Sequence, residues 1–125
     1  MINIAIMGFG IVGSGVATSI TLNNEHYQKS RQIPEINIKY ILDLRDFDEH
    51  PLGDRVVHDI DTIISDKSVS IVVETMGGIH PAYDFTRKAL ESGKSVVTSN
   101  KAVVAAHGAE LFEIAIKKEF QGRKF

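Results

Sequence analysis

Residues Met7–Gly15 read MGFGIVGSG and follow directly on the apolar run INIAI at Ile2–Ile6. Three glycines within them, at positions 8, 10 and 13, have the spacing G-x-G-x-x-G. This spacing points to an anion-binding turn when a strand precedes it and a helix follows it. We therefore predict a β-strand over Ile2–Ile6, a tight glycine turn, and a helix over Ile11–Tyr27, where apolar residues recur on one face.

Each glycine of this turn has its own expected task. Gly8 permits the sharp turn out of the strand. Gly10 has no Cβ, so a pyrophosphate group can approach the backbone and bind the free N–H groups at the helix N-terminus. Gly13 lets the helix pack closely against the sheet. The pattern therefore predicts a dinucleotide-binding turn, and the alternative is that the glycines only connect two elements.

The composition is that of an ordinary globular domain. The chain has 125 residues, of which 43% are hydrophobic and 24% charged, and its formal net charge is −2. Such a charge gives no basic footprint for nucleic acid or an anionic membrane. There is no cysteine, which excludes disulfides, thiol catalysis and thiolate metal sites. The start does not resemble a signal peptide, and no apolar run approaches the roughly 18 residues of a membrane span. We expect a cytoplasmic protein.

Strands and helices alternate along the rest of the chain. Further strands are predicted over Ile36–Leu44, Val56–Val57, Val69–Glu74 and Ser95–Thr98. Asp59 or Asp61 can cap a short helix through Ile64. The later helices are predicted from Pro81 to Glu91, ended by Gly93, and over about Lys101–Lys118, where Gly108 can interrupt the helix. The terminal segment KKEFQGRKF is polar and basic, and we expect no core element in it.

Strands separated by helices imply parallel strands joined by right-handed crossovers. We predict an α/β fold of the Rossmann type, a doubly wound parallel sheet in a three-layer α/β/α arrangement, with the strand order 3-2-1-4-5. Ligands bind to such a sheet outside the carboxyl ends of its strands. Three loops leave that edge, at Met7–Gly13, Glu74–Pro81 and Thr98–Lys101.

Two of these loops carry further candidate residues. Gly77 and Gly78 expose backbone where a nicotinamide ribose would lie, and the alternative is a plain turn before the next helix. Thr98 and Lys101 flank small polar residues at the same edge. A lysine beside a cofactor and a carbonyl substrate can donate a hydrogen bond, stabilise an alkoxide or shuttle a proton. The alternative is a solvated surface charge.

The end of the second strand bears on the choice of cofactor. An acid there binds the hydroxyls of the adenosine ribose, and an arginine suits a 2′-phosphate. The chain offers both, in Asp43 and Arg45. Asp43 lies further beyond Gly13 than the usual spacing of about 20 residues, which a longer first helix and the segment at Pro34 explain. The choice between NAD and NADP stays open, and Arg45 is equally well a solvated charge.

The remaining polar residues give weaker signals. The histidines lack the spacing of metal ligands on one helix face, so we expect no metal site; they are His26, His50, His58, His80 and His107. Glu74 ends a buried strand, where it either caps a loop or contacts substrate.

Three segments resemble the amino-terminal domain of homoserine dehydrogenase. They are GFGIVGSGV from Gly8, VVETMGGIHPA from Val72, and GKSVVTSNKAVVAAHGAELFEIA from Gly93. The resemblance covers most of residues 2–116. The stretch VVTSNKA followed by H-G-x-E-L-F is far more specific than the glycine pattern, which other oxidoreductases share.

This resemblance implies NAD(P)-dependent interconversion of L-homoserine and L-aspartate 4-semialdehyde, a step of threonine, methionine and isoleucine synthesis. By position, Phe9, Gly10, Ile11 and Val12 would line the pyrophosphate turn. Gly77 and Thr98 would approach the nicotinamide, Lys101 would match the family's lysine beside nicotinamide and substrate, and Arg45 would match a basic residue near the adenosine 2′ position.

The chain departs from the family pattern at two residues and in its length. Ile11 stands where members commonly have Thr, and Ser99 stands where they commonly have Ala. The family also continues with a domain that binds the small-molecule substrate and forms a homo-oligomer, whereas this sequence ends at Phe125. We therefore expect residues 1–125 to be the NAD(P)-binding domain, inactive alone. The alternatives are a non-catalytic nucleotide-binding module and another small oxidoreductase, against which the TSNK segment argues.

Overall fold

The computed structural model describes residues 1–27 and 34–122 of the chain. Its strands are β1 (Ile2–Met7), β2 (Ile36–Leu42), β3 (Val56–Val57), β4 (Val69–Glu74) and β5 (Ser95–Thr98). Its α-helices are α1 (Ile11–Tyr27), α2 (Ile60–Ile64), α3 (Ala82–Glu91) and α4 (Lys101–Gly122), and a single 3-10 turn covers Gly53–Arg55. All strand pairs are parallel and the order is β3-β2-β1-β4-β5, which confirms the predicted fold class and strand order.

The sheet is buried on both faces, because side chains alternate between the faces along each strand. On one face, residues such as Ala5 and Val72 pack against Ile60 and Ile63 of α2 and Ala89 of α3. On the other face, Ile4, Ile6, Ile38 and Ile41 pack against Ala17 of α1 and against Phe9. Helix α4 packs on α3 through a third cluster that contains Val103 and Leu111. This gives the three layers that the sequence predicts.

The carboxyl ends of the four longer strands lie side by side. Met7 pairs with Leu42 on one side and with Glu74 on the other, and Glu74 pairs with Thr98. The loops after β1, β2, β4 and β5 therefore leave the sheet at one level. At the lateral edge β5 is the last strand of the described part of the chain, and its Val97 is 58% exposed.

Two predicted boundaries differ from the structure by two or more residues. Strand β2 ends at Leu42, two residues before the predicted end, because the Asp43 side chain accepts the N–H groups of Phe9 and Arg45 and turns the chain there. Helix α4 runs through Gly108 without a break and continues to Gly122, into the segment where no core element was expected. A single glycine costs a helix only about 1 kcal/mol, and Lys, Glu and Gln in that segment are good helix formers.

The other helix ends follow the sequence. Asp59 caps α2 by accepting the N–H of Asp61, and Gly93 follows α3 with a positive φ of 89°. Within the described residues, no helix has both the length and the apolar character needed to cross a membrane.

The glycine turn is tightly packed. Gly8 has a φ of +90°, and its N–H donates to the carbonyl of Leu42 over 2.7 Å. A Cβ on Gly13 would lie 2.0 Å from the carbonyl oxygen of Gly8. Helix α1 therefore reaches the turn only because residue 13 has no side chain, as predicted.

We predict that Gly13→Ala lowers the free energy of unfolding by about 1–3 kcal/mol, because the methyl group forces backbone atoms apart. Urea denaturation followed by circular dichroism measures the change. Gly15→Ala is the matched control, since Gly15 lies in the same helix and its Cβ position has nothing within 4 Å. This control should raise the free energy of unfolding by about 0.5–1 kcal/mol. Equal effects of the two variants would contradict the close packing at residue 13.

Candidate functional site

A cleft of about 490 Å³ opens at the carboxyl edge of the sheet. Its walls come from the glycine turn, the loop after β2, the end of β3, the loop after β4 and the start of α3. The lining residues are Gly8, Phe9, Gly10, Leu42, Asp43, Leu44, Arg45, His58, Thr75, Met76, Pro81 and Phe85. The cleft thus combines backbone of the turn, one carboxylate, one guanidinium and an apolar wall.

The N-terminus of α1 faces the solvent beside this cleft. The first helical bond of α1 runs from the N–H of Ser14 to the carbonyl of Gly10, over 2.9 Å. The N–H groups before Ser14 have no carbonyl one turn back to bind, which is the arrangement that binds anions. A Cβ on Gly10 would meet nothing within 4 Å. Open space at Gly10 and a helix N-terminus together fit a pyrophosphate group.

Asp43 holds the adjoining corner of the cleft. Its Oδ2 accepts the N–H of Phe9 over 2.9 Å, and its Oδ1 accepts the N–H of Arg45 over 2.9 Å. The Arg45 side chain adds a two-pronged ion pair, with Nε 3.1 Å from Oδ1 and Nη2 3.1 Å from Oδ2. The Asp43 side chain is 9% exposed and that of Arg45 is 64% exposed.

These contacts decide the charge of Asp43. Burial raises the pKa of its carboxyl group, but hydrogen bonds from the side chain and backbone of Arg45 and from Phe9 outweigh burial and lower that pKa to about 2. The hydrogen bond that Arg45 donates to Asp43 in turn raises the pKa of Arg45. A buried anion and an exposed cation therefore stand side by side at neutral pH.

Phe9 and Arg45 are also held by aromatic contacts. The ring of Phe9 is buried and meets the rings of Phe47 and His50 edge to face, at centroid distances of 5.1 Å and 5.0 Å. The Arg45 guanidinium lies 5.1 Å from the centroid of Phe47. Phe9 therefore lines the turn with its backbone while its side chain anchors the turn in the core.

A second polar network joins the loops after β4 and β5. Glu74 is 1% exposed; its Oε1 accepts the N–H of Met76 and its Oε2 accepts the Thr98 hydroxyl, each over 2.6 Å. The Thr98 hydroxyl oxygen accepts the N–H of Asn100, whose Nδ2 donates to the carbonyl of Gly78 over 2.6 Å. Glu74 therefore caps a loop, and both of its oxygens are engaged in that task.

This network sets the start of α4. Asn100 Oδ1 accepts the N–H of Val103 over 3.1 Å and so caps the helix. Lys101 is the first residue of α4 and is exposed. Gly77 and Gly78, both with positive φ, lie in the loop that Asn100 holds.

The predicted site residues thus fall into two groups. Gly8, Phe9, Gly10, Asp43 and Arg45 line the cleft together. The other residues lie outside the lining of this cleft: Ile11, Val12 and Gly13 in the first turn of α1, Gly77 in the loop after β4, and Thr98 and Lys101 at the end of β5 and the start of α4.

Several residues that line the cleft were not among the predicted site residues, and Thr75, Phe85 and His58 are three of them. The Thr75 hydroxyl lies 2.9 Å from the carbonyl oxygens of both Met7 and Gly8, and so ties β4 to the glycine turn. Phe85 supplies apolar wall from α3. His58 follows β3 at the same carboxyl edge, and that position was the available signal, although the histidines were weighed only as metal ligands. Among residues 1–27 and 34–122, no three potential metal ligands cluster.

The comparison with protein families matches residues 8–122 to the model described as homoserine dehydrogenase, NAD binding domain. The chain belongs to this family. The match begins at the first glycine of the turn and ends at the last residue of α4. It runs six residues beyond Ile116, where the resemblance noted in the sequence ended.

Individual relatives agree with this assignment. The chain is similar to homoserine dehydrogenase of Lactococcus lactis, with 41% identity over 122 residues that cover 93% of this chain and 28% of the relative. The chain is also similar to homoserine dehydrogenase of Helicobacter pylori, with 36% identity over 116 residues that cover 91% of this chain and 27% of the relative. The crystal structure of S. aureus homoserine dehydrogenase at pH 7.0 superposes with a TM-score of 0.82 at 38% identity, over 94% of this chain and 30% of that one. The chain therefore spans less than a third of the length of these relatives.

Proposed function

We propose that this chain forms the NAD(P)-binding domain of a longer homoserine dehydrogenase. The protein as a whole would interconvert L-homoserine and L-aspartate 4-semialdehyde in the synthesis of threonine, methionine and isoleucine. A separate domain would bind the substrate and join the subunits of a homo-oligomer. The observation that carries the proposal is the cleft itself, which brings the open side of Gly10 and the Asp43–Arg45 pair to one edge of the sheet.

In this proposal the pyrophosphate lies on the first turn of α1, at Gly10, Ile11 and Val12. The adenosine lies in the cleft between the loop after β2 and the apolar wall of Met76, Pro81 and Phe85. The nicotinamide end extends toward Gly77 and Thr98. The row of strand ends supports this placement, because the loops that carry these residues leave the sheet at one level.

Asp43 and Arg45 let the same corner receive either cofactor. The carboxylate of Asp43 can accept the ribose hydroxyls of NAD, as acids at this position do. The 2′-phosphate of NADP would be repelled by that carboxylate but attracted by the guanidinium, which is exposed enough to turn toward it. The choice between NAD and NADP then depends on the partner that Arg45 takes.

Lys101 is the proposed catalytic residue. The bound nicotinamide would supply or accept the hydride at the carbon that bears the substrate oxygen. The ammonium group of Lys101 would donate a hydrogen bond to that oxygen and stabilise the negative charge that develops on it. The loop network of Glu74, Thr98 and Asn100 holds the first turn of α4 and so sets the position of Lys101.

We predict that Gly10→Val abolishes dinucleotide binding by the folded chain, because the added side chain fills the space that the pyrophosphate needs. Since nothing lies within 4 Å of that Cβ position, the fold should persist. Calorimetric titration with NAD and NADP measures binding, and circular dichroism checks folding. Unchanged affinity in a folded Gly10→Val protein would refute the pyrophosphate site.

Arg45→Ala should weaken NADP binding by about 10- to 100-fold, the range expected for loss of charge-assisted hydrogen bonds. NAD binding should change less than about threefold, since NAD has no phosphate at that corner. Asp43→Asn is the matched variant with the opposite expected effect. It removes the carboxylate charge that repels the 2′-phosphate, so it should shift the preference toward NADP. The measurement is the dissociation constant of each cofactor. An equal loss of affinity for NAD and NADP would show that Arg45 is only a surface charge.

In the whole protein, Lys101→Ala should lower kcat for homoserine by about 100- to 1,000-fold, the cost of removing one donor to a developing oxyanion. Cofactor affinity and folding should stay near normal. Lys117→Ala is the control, because Lys117 is an exposed lysine of the same helix that pairs with Glu113. Near-normal turnover of Lys101→Ala would exclude the catalytic role.

Residues 1–125 expressed alone should bind the cofactor with little or no turnover of homoserine. Loss of the groups that position a substrate costs several orders of magnitude in rate. Turnover at an ordinary enzyme rate by these residues alone would show that they contain the whole active site.

A further inference from the structure

His58 lies at the rim of the cleft, and each of its ring nitrogens contacts a hydrogen-bond acceptor. Its Nδ1 is 2.7 Å from the carbonyl oxygen of Asp43, and its Nε2 is 2.9 Å from Oδ1 of Asp46. A carbonyl and a carboxylate only accept hydrogen bonds. Both contacts are therefore complete only when both ring nitrogens carry a proton, which is the cationic form of the side chain.

The bond to Asp43 raises the pKa of His58 above its usual value, against an opposing effect of burial, and the bond to Asp46 raises it further. The imidazolium thus bridges two points of the loop after β2, on either side of Arg45. It fixes the segment whose side chains the proposed function assigns to the adenosine corner.

The charges around His58 come from a few elements. The loop after β2 supplies Asp43, Asp46 and Arg45, and the histidine's own segment supplies Asp59, which caps α2. The walls that α3 and the glycine turn contribute to the cleft carry no charge there. Among the described residues that line the cleft, His58 and Arg45 are the two side chains that can present a positive charge to a ligand.

We propose that His58 is a specificity-determining residue of this cleft: its protonated ring holds the Asp43–Asp46 loop in place and adds a positive charge beside the adenosine 2′ position, so that the preference for NADP over NAD falls as the pH rises. This inference rests on the proposed function, since it needs a nicotinamide dinucleotide in the cleft. It goes beyond that function in making the cofactor preference depend on pH.

The preference for NADP falls with rising pH because the two cofactors differ in which protonation state of His58 they favour. NADP brings a phosphate that is doubly charged above its second pKa of about 6, and this phosphate favours the imidazolium. NAD brings only hydroxyl groups to the same corner. As the pH rises through the pKa of His58, the charge disappears and NADP loses an attraction that NAD never had.

The test is a titration of the chain with NADP and with NAD between pH 7 and pH 9, where the phosphate charge is constant. The ratio of the two affinities should fall by about three- to tenfold over this range, the effect of one unit charge at a partly screened surface site. In His58→Gln the ratio of NADP affinity to NAD affinity should be lower than in the wild type at pH 7 and should not change with pH. In His58→Lys the ratio should also be independent of pH, with NADP favoured. His107→Gln is the control, because His107 lies on α4, where it pairs with Glu110; it should retain the wild-type pH dependence.

A second measurement follows the wild-type ring directly by NMR of its nitrogens. NADP should raise the pKa of His58, and NAD should leave it unchanged. This measurement needs no variant, so it decides the question even where His58→Gln fails to fold. A pH-independent affinity ratio in the wild type, the same pH dependence in His58→Gln, or equal pKa changes with both cofactors would each overturn the proposal.

These outcomes are distinct from failure of the proposed function. If neither dinucleotide binds at any pH, the assignment of the cleft is wrong and this proposal goes with it. If both bind and Arg45→Ala selectively weakens NADP while the pH has no effect, the cleft assignment stands and only the role of His58 is refuted.

Discussion

The close contact between Gly13 and the carbonyl oxygen of Gly8 is the constraint on which the cleft depends. With any side chain at residue 13, α1 would have to move away from the turn. The Thr75 hydroxyl reaches the same carbonyl oxygen from β4, so three elements meet within one small volume. The helix N-terminus is consequently held at the sheet edge, and its free N–H groups are fixed relative to the loops after β2 and β4 before any ligand arrives.

Two carboxylates at the ends of strands serve different purposes. Glu74 is fully enclosed, and both of its oxygens hold loop atoms. Asp43 also organises a loop, but its partner Arg45 is largely exposed. In the proposed function Asp43 would also recognise a ligand. Both carboxylates are largely buried, so what sets the two apart is the exposed partner of Asp43. Position along the strand does not distinguish them, since each stands at a carboxyl end.

The sequence predicts the fold well because its signals are local and agree with one another. Glycine spacing, β-branched runs and helix caps such as Asp59 each depend on near neighbours in the chain. The strand order follows from general rules for parallel sheets and was confirmed. Gly13 was assigned its packing task from spacing alone, and the structure confirms that task.

The site was harder to predict where contacts join distant residues. Thr75 and Gly8 are 67 positions apart, and nothing in their local sequence links them. His58 follows a strand of only two residues, too short for a clear pattern, and its two partners lie in another loop. The end of β2 was misjudged for the same reason, since the Asp43 side chain ends the strand by bonding to Phe9, 34 positions away.

The exposed flank of β5 has an architectural consequence. An edge strand presents unsatisfied backbone groups in a row, and another strand can add to them. The glycine turn and the Asp43 corner lie on the β1 and β2 side of the sheet, two or more strands away from that flank. A strand can therefore be added at β5 without contacting the glycine turn or the Asp43 corner.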